Sequence, residues 1–211
     1  CERLGEALGL ENLYVKNDTV NPTYSFKDRP AGVGVSKAVE LGLSAVGCAS
    51  TGNLAAATAA YAARKGLTCY VFMPKGLETS KIAQILAYGP RVIEVEGTYD
   101  DANRLASLAA EEYHIGVVNV NLRPYYVEGS KTLAFEVAEQ LGWTIPDHII
   151  IPVGSGALLH SVCKGFEELV QVGCIDKVTT KVTAAQPYGC APVVKGLKTG
   201  ASEIVPVDSP E

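Results

Sequence analysis

The sequence predicts an α/β protein whose sheets are mainly parallel and are covered by helices. Two observations predict this fold class. From residue 45 onward, short runs of consecutive apolar residues alternate with longer segments that carry apolar residues at helical spacing. Strands that are apolar on both faces, separated by helices of about 10–15 residues, are typical of parallel sheets with right-handed crossover connections.

The predicted elements follow one another in regular order. A short apolar strand is predicted at 13–15, and a helix at 31–41 that ends before Gly42. Buried strands are predicted from short apolar runs at 45–49, 69–73, 92–95, 117–120, 148–153 and 181–185. Helices are predicted from helical apolar spacing at 54–64, 80–88, 99–112, 127–141 and 157–170. Glycine is typical of the position after a helix and follows four of these helices, at Gly66, Gly89, Gly142 and Gly173.

Composition and charge exclude several classes of protein. The 211 residues are 47% apolar and 19% charged, as in ordinary globular chains, and the net charge is −5. No stretch clusters Lys and Arg with aromatic residues, so we expect no nucleic-acid partner. No apolar run approaches the roughly 18–20 residues that span a bilayer, so we expect no membrane partner.

The six cysteines are scattered along the chain, without a C-x-x-C pair and without a histidine at metal-ligand spacing: Cys1, Cys48, Cys69, Cys163, Cys174 and Cys190. We therefore expect no metal site. Scattered thiols in an α/β pattern are typical of reduced core residues in a cytoplasmic protein.

One lysine stands in a turn directly before a predicted helix, in the segment Asn21-Pro22-Thr23-Tyr24-Ser25-Phe26-Lys27-Asp28-Arg29. A helix start offers free backbone N–H groups and the positive end of the helix dipole, which favour an anionic ligand. A lysine in that position suits covalent chemistry with the aldehyde of a cofactor.

Two strand-to-helix loops add further ligand-binding groups. Ala49-Ser50-Thr51-Gly52-Asn53-Leu54 combines small residues, backbone N–H donors and one amide side chain, which together suit a carboxylate. Pro152-Val153-Gly154-Ser155-Gly156-Ala157-Leu158 places two glycines and a hydroxyl before a helix, which suits a phosphate. The lysine and the two loops fit one ligand with an aldehyde, a phosphate and a ring hydroxyl, and pyridoxal 5′-phosphate is such a ligand.

These three segments occur in the order and spacing of the tryptophan-synthase-β-like (fold type II) pyridoxal-phosphate enzymes, and the chain resembles that family over nearly its whole length. Within the family it is most similar to the threonine synthases. The segments that carry this closer similarity are Leu13-Tyr14-Val15-Lys16-Asn17-Asp18, Glu96-Gly97-Thr98-Tyr99-Asp100-Asp101, Asn119-Val120-Asn121-Leu122-Arg123-Pro124-Tyr125-Tyr126 and Glu128-Gly129-Ser130-Lys131-Thr132.

The resemblance implies the fold type II architecture, with two open, mainly parallel twisted sheets flanked by helices. A small βα domain is expected at 21–124, and 1–20 with 125–211 are expected to form part of a large cofactor-binding domain. The C-terminal part of the large domain is expected to be missing from this chain. The family also implies a homodimer.

The resemblance assigns roles residue by residue. Lys27 resembles the Schiff-base lysine, and Asn53 the residue that binds the ring hydroxyl of the cofactor. The backbone N–H groups of Ser50, Thr51 and Gly52 are expected to bind the substrate carboxylate. The cofactor phosphate is expected at Gly154, Ser155, Gly156, Ala157 and Leu158. The partner of the pyridine nitrogen is expected beyond residue 211.

The substrate phosphate is harder to assign, because the chain departs from the family at two positions. Many threonine synthases have a hydroxyl residue where this chain has Leu54, and an arginine where it has Tyr126. Arg123 is the expected replacement, because a guanidinium binds phosphate through two hydrogen bonds. Lys81 and Asn121 are further candidates.

The resemblance implies a lyase that converts the small molecule O-phospho-L-homoserine and water to L-threonine and phosphate, with pyridoxal 5′-phosphate as cofactor. Three alternatives stay open: a cysteate synthase, an enzyme like the threonine and serine dehydratases, and a non-catalytic paralogue that binds the cofactor. The dehydratases usually carry histidine at the position of Leu54.

Overall fold

The computed structural model describes residues 1–205 and 207, except for the side chains of Ser80 and Lys81. Six strands form two parallel sheets within this part of the chain. The strands are β1 (Ala45–Ala49), β2 (Thr68–Pro74), β3 (Arg91–Val95), β4 (Gly116–Val117), β5 (His148–Pro152) and β6 (Lys181–Ala185). The helices are α1 (Glu2–Leu8), α2 (Asp28–Glu40), α3 (Asn53–Lys65), α4 (Thr79–Leu86), α5 (Tyr99–Tyr113), α6 (Arg123–Ser130), α7 (Thr132–Gln140), α8 (Ala157–Gln171) and α9 (Pro192–Thr199). The predicted α/β fold class is confirmed.

The first sheet has the order β3-β2-β1-β4, so β1 lies between β2 and β4. Four of the five residues of β1 are buried, and its predicted bounds at 45–49 are confirmed. The helices α3 and α5 pack against β1 and β2, and the small residues of α3 allow close approach: Ala55, Ala57, Ala59 and Ala62 have no exposed surface. This sheet is therefore thoroughly buried around its central strand.

The second sheet pairs β5 with β6, from His148 opposite Lys181 to Pro152 opposite Ala185. Its core is formed with α7 and α8, through apolar residues such as Ala138, Ile151 and Phe166. The strand residues are much more exposed than those of β1, and Ile150 retains 66% of its side-chain exposure. The domain boundaries at 20/21 and 124/125 remain a prediction.

Three predicted elements are wrong: one strand is absent, and one strand and one helix have other bounds. The strand at 13–15 is absent among the described residues, where Tyr14 and Val15 are exposed and pair with no other strand. The strand at 117–120 is reduced to Gly116–Val117, because the side chains of Asn119 and Asn121 bind backbone groups there. The helix predicted at 127–141 starts earlier, at Arg123, and is interrupted between α6 and α7. At the interruption the Thr132 hydroxyl donates to the Gly129 carbonyl and competes with the helix backbone.

Sequence reasoning missed α1, α9 and a 3₁₀ turn at Asp18–Val20. No helix within residues 1–205 and 207 is long and apolar enough to cross a membrane.

Candidate active site

Lys27 is the N-cap residue of α2, and the turn before it is fixed by its neighbours. The buried Asp28 carboxylate accepts hydrogen bonds from the backbone N–H and the hydroxyl of Thr23, at 3.0 and 2.8 Å. The Lys27 backbone N–H donates to Ser25 Oγ at 3.2 Å. Asp28 therefore shapes the turn, and the lysine side chain leaves it at the helix start.

The Lys27 amine donates a hydrogen bond to the Tyr126 hydroxyl at 2.7 Å, and the ring of Tyr126 lies 5.5 Å from Nζ. This contact joins the start of α2 to α6, across 99 residues of sequence. Other lysines of the chain bind carboxylates: Lys16 with Glu136, Lys37 with Glu40, Lys75 with Glu96, Lys131 with Glu128 and Glu168, and Lys164 with Glu128. Lys27 differs from them because its partner is a neutral phenol.

The loop after β1 leads directly into the uncapped start of α3. Gly52 is the N-cap residue, and no side chain caps the first N–H groups of the helix. A Cβ added to Gly52 would meet no heavy atom within 4 Å, so there is open space beside the loop. Since the first N–H groups of a helix have no partner inside it, this loop is suited to an anion such as a carboxylate. Asn53, the first residue of α3, is exposed at this opening.

Side chains from two other elements clamp Ala49, the residue before this loop. Its N–H donates to Asn119 Oδ1 at 3.1 Å, and its carbonyl accepts from the Tyr99 hydroxyl at 3.1 Å and from Asn119 Nδ2 at 3.4 Å. Asn119 Nδ2 also donates to Asn103 Oδ1 at 3.1 Å. Sequence reasoning missed this network, although a polar residue at the end of a parallel strand is the signal that could have found Asn119.

The loop after β5 has the same kind of opening at the start of α8. Gly156 is the N-cap residue, with a φ of 86° and no side-chain cap. A Cβ added to Gly154 or Gly156 would meet nothing within 4 Å, and Ser155 is exposed. The uncapped N–H groups and the free space beside the glycines fit a phosphate, so the residues present suit the anionic end of pyridoxal 5′-phosphate.

Tyr126 contacts Lys27, and the residue after it contacts α8. Val127 accepts a hydrogen bond from Ser161 Oγ at 3.3 Å, and Ser161 lies about one turn from the start of α8. The pKa of the Tyr99 hydroxyl is raised above its ordinary value, chiefly by burial and to a smaller extent by the charges of Cys48 and Tyr126. Tyr99 is the residue that donates to Ala49. Tyr126 thus contacts Lys27, and the next residue, Val127, joins α6 to α8, the helix that follows the loop at 154–156.

The candidates for the substrate phosphate are not drawn together in the same way. Asn121 uses both polar side-chain atoms on backbone, because Oδ1 accepts from the Val117 N–H at 2.7 Å and Nδ2 donates to the Ile115 carbonyl at 3.0 Å. This makes it a structural residue of its turn rather than a free ligand. Arg123 is exposed at the start of α6. The Lys81 side chain lies outside the described part of the structure.

The family described as "Pyridoxal-phosphate dependent enzyme" matches residues 1–210. The chain belongs to this family. The predicted family resemblance is therefore confirmed, and pyridoxal phosphate is the cofactor of the family.

The relatives in this family include proteins named threonine synthase. The chain is 44% identical to the one from Methanocaldococcus jannaschii and 43% identical to the one from Methanosarcina acetivorans, over 100% of this chain and 52% of each relative. It thus spans about half the length of these curated relatives. Among solved structures, the processed form of threonine deaminase isoform 2 from Solanum lycopersicum superimposes with a TM-score of 0.79 at 27% identity, covering 97% of this chain and 55% of that one. The predicted similarity to threonine synthases and the fold type II architecture are both confirmed.

Proposed function

We propose that the whole protein to which this chain belongs is a threonine synthase, which converts O-phospho-L-homoserine and water to L-threonine and inorganic phosphate. The observation that carries this proposal is the lysine at the start of α2, whose amine binds Tyr126, in a chain with two further uncapped helix starts, those of α3 and α8. The identity of 44% and 43% to two proteins named threonine synthase supports the choice of reaction.

We assign the anionic groups to the two loops. The loop of Ser50, Thr51 and Gly52 binds the substrate carboxylate, because the space beside Gly52 is open at the start of α3. The Ser50 N–H donates to the Phe72 carbonyl at 3.2 Å and the Gly52 N–H to Ser50 Oγ at 3.3 Å, so a carboxylate would replace the Ser50 hydroxyl as the partner of Gly52. The loop from Gly154 to Leu158 binds the cofactor phosphate at the start of α8. Asn53 is assigned to the ring hydroxyl of the cofactor.

Lys27 has two tasks in this proposal. Its amine would hold the cofactor covalently when no substrate is present, and would remove the α-proton of the substrate once it is displaced. The bound cofactor supplies an electron sink that stabilises the resulting carbanion. The amine would also take the β-proton whose loss allows phosphate to leave the γ-carbon, return a proton to the γ-carbon, and return a proton to the α-carbon after water has added at the β-carbon. Arg123 and Lys81 remain candidates for the leaving phosphate.

The first experiment measures phosphate release by the full-length protein with pyridoxal 5′-phosphate, from O-phospho-L-homoserine and from O-phospho-L-serine. We expect turnover with the first substrate. Turnover with O-phosphoserine alone would identify a cysteate synthase instead, and ammonia release from threonine or serine would identify a dehydratase.

Lys27→Ala is the matching variant, and we expect it to lose both turnover and the visible absorption band of the lysine-bound cofactor. Lys37→Ala is the control, because Lys37 lies on the same helix and pairs with Glu40. A full visible band in Lys27→Ala would refute the assignment of the lysine. A wild-type protein that forms the band but turns over none of these substrates would be a non-catalytic paralogue.

We further propose that the site lies between a small domain at 21–124 and a large domain, that the protein is a homodimer, and that it is cytoplasmic. Family resemblance supports the dimer, and six free cysteines, with Cys48 and Cys69 buried, support a reducing compartment. Light scattering during gel filtration and cell fractionation test these two statements.

A further inference from the structure

We propose that Tyr126 is the positioning residue of Lys27, and that its hydroxyl keeps the amine in one place whether the amine is charged or neutral. The inference rests on the proposed function of Lys27. It concerns how fast and how reliably the lysine reaches its reaction partner rather than which substrate is used.

The first argument is the geometry of the pair. Lys27 Nζ lies 2.7 Å from the Tyr126 hydroxyl and 5.5 Å from the centre of its ring, so the amine contacts both the polar and the aromatic part of this side chain. Phe26 lies at the same distance of 5.5 Å from Nζ. A long, flexible lysine side chain is thereby directed to one position between two rings.

The second argument is the chemistry of the partner. A phenol both donates and accepts, so it accepts a hydrogen bond from an ammonium group and donates one to a neutral amine. A carboxylate only accepts, and it favours the charged form of a lysine. The amine must be neutral to attack an aldehyde or to remove a proton. A phenol therefore positions the amine through its whole working cycle, which the carboxylate partners of Lys131 or Lys16 would not do.

The third argument is how firmly Tyr126 itself is placed. Its backbone N–H donates to the Leu122 carbonyl at 3.1 Å, and its ring packs against the buried core that contains Val118 and Leu122. The helix that carries it packs closely on α2, since a Cβ added to Gly129 would lie 2.7 Å from Pro30 Cα. A fixed phenol on a closely packed helix can fix the amine that it binds.

The test is Tyr126→Phe in the full-length protein, which keeps the ring and removes the hydroxyl. We expect the cofactor-free variant to form the visible band with pyridoxal 5′-phosphate roughly tenfold more slowly than the wild type, since the hydrogen bond that positions the neutral amine is lost. Its affinity for pyridoxine 5′-phosphate, which lacks the aldehyde, should be unchanged. A purely structural role for Tyr126 would weaken both ligands together.

Tyr125→Phe is the matched control. Tyr125 is the preceding residue of α6, and its ring lies 5.1 Å from Lys37 Nζ, so it makes the same kind of ring contact with a different lysine. We expect the wild-type rate from this variant. Equal rates for Tyr126→Phe and the wild type, or equal slowing in both variants, would overturn the inference.

A second measurement needs no variant that has to fold. A crystal structure of the cofactor-free, full-length protein should place Lys27 Nζ within hydrogen-bond distance of the Tyr126 hydroxyl. A structure in which Nζ lies away from this hydroxyl and binds another group would refute the proposal. The outcomes stay distinct from those of the proposed function. If Tyr126→Phe captures the cofactor slowly and the wild type releases no phosphate from O-phosphohomoserine, the inference is sustained and the proposed reaction is refuted. If Tyr126→Phe captures the cofactor at the wild-type rate and the wild type releases phosphate, the inference is refuted and the reaction is sustained.

Discussion

The loop after β1 and the loop after β5 present similar openings to a ligand, but they are supported very differently. Both lead to a glycine N-cap and an uncapped helix start. The first loop follows a strand with neighbours on both sides, and Ala49 is bound by Asn119 and Tyr99. The second follows a strand that pairs only with β6 within the described part of the chain, and the Val153 N–H donates to the Ala185 carbonyl at 2.9 Å.

This difference indicates two ways to build an anion site. The loop after β1 is organised before a substrate arrives, because side chains of Asn119 and Tyr99 fix Ala49 at its start. The loop after β5, from Gly154 to Leu158, depends on the conformation of its own backbone, and above all on the positive φ of Gly156. We expect substitutions that disturb the first loop to weaken substrate binding, and substitutions that disturb the second loop to weaken cofactor binding.

The largest effect is expected from Gly156→Val in the full-length protein. A branched side chain is strained at a φ of 86°, and its methyl groups would fill the space beside the helix start. We expect the dissociation constant of pyridoxal 5′-phosphate to rise about 100-fold, which corresponds to about 2.8 kcal/mol. Titration followed by visible absorption measures it.

Gly142→Val is the control for backbone strain. Gly142 follows α7, has a φ of 75° and is equally free of atoms around an added Cβ. It should lower the unfolding temperature without changing cofactor affinity. An equal loss of affinity in both variants would mean that backbone strain, and not the filling of the phosphate-binding space beside Gly156, explains the result.

A smaller effect is expected from Asn119→Ala, which removes two hydrogen bonds from Ala49 and one from Asn103. The loop donors then lose their fixed position, and we expect the KM for the substrate to rise about tenfold while cofactor affinity stays the same. Steady-state kinetics and cofactor titration measure the two values. Asn103→Ala removes only the outer bond and should change KM much less. A loss of cofactor affinity in Asn119→Ala would break the division between the two loops.

The sequence was sufficient for the elements that depend on local pattern. The strand at 45–49 follows from five consecutive small or apolar residues, and the turn before Lys27 from Asn21-Pro22. The contacts that organise the site are different in kind. Lys27 meets Tyr126 across 99 residues, and Asn119 meets Ala49 across 70. The place of Asn119 after a parallel strand marks it as a candidate site residue, but no periodicity or turn propensity encodes which side chains meet after folding, so the pairings themselves were not predictable.

Asn121 illustrates the same limit at short range. Its residue type suits a phosphate, and its place after a strand suits a ligand loop. The structure instead directs it to the backbone of Ile115 and Val117, because a short amide side chain readily satisfies nearby backbone groups in a turn.

The smallest predicted effect concerns what joins the two regions. Arg29, at the start of α2, binds both Asp18 and Glu136 at 2.7 Å, and Glu136 lies on α7 beside the second core. The hydrogen bond from Arg29, reinforced by Lys16, lowers the pKa of Glu136 to about 2. A lowered folded-state pKa stabilises the protein above the unfolded value of 4.5, and this stabilisation is lost as the pH falls toward 2.

Glu136→Gln should therefore lower the unfolding temperature by a few degrees near pH 6 and make it less sensitive to acid between pH 4.5 and 2. The effect is small because Glu136 is 42% exposed and water screens the pair. Glu96→Gln, in the exposed pair with Lys75, is the control and should change neither value. If both variants keep the wild-type acid profile, the ion pair of Arg29 with Glu136 does not join α2 to α7, and the packing of α6 on α2 and the hydrogen bond from Arg29 to Thr132 must do so instead.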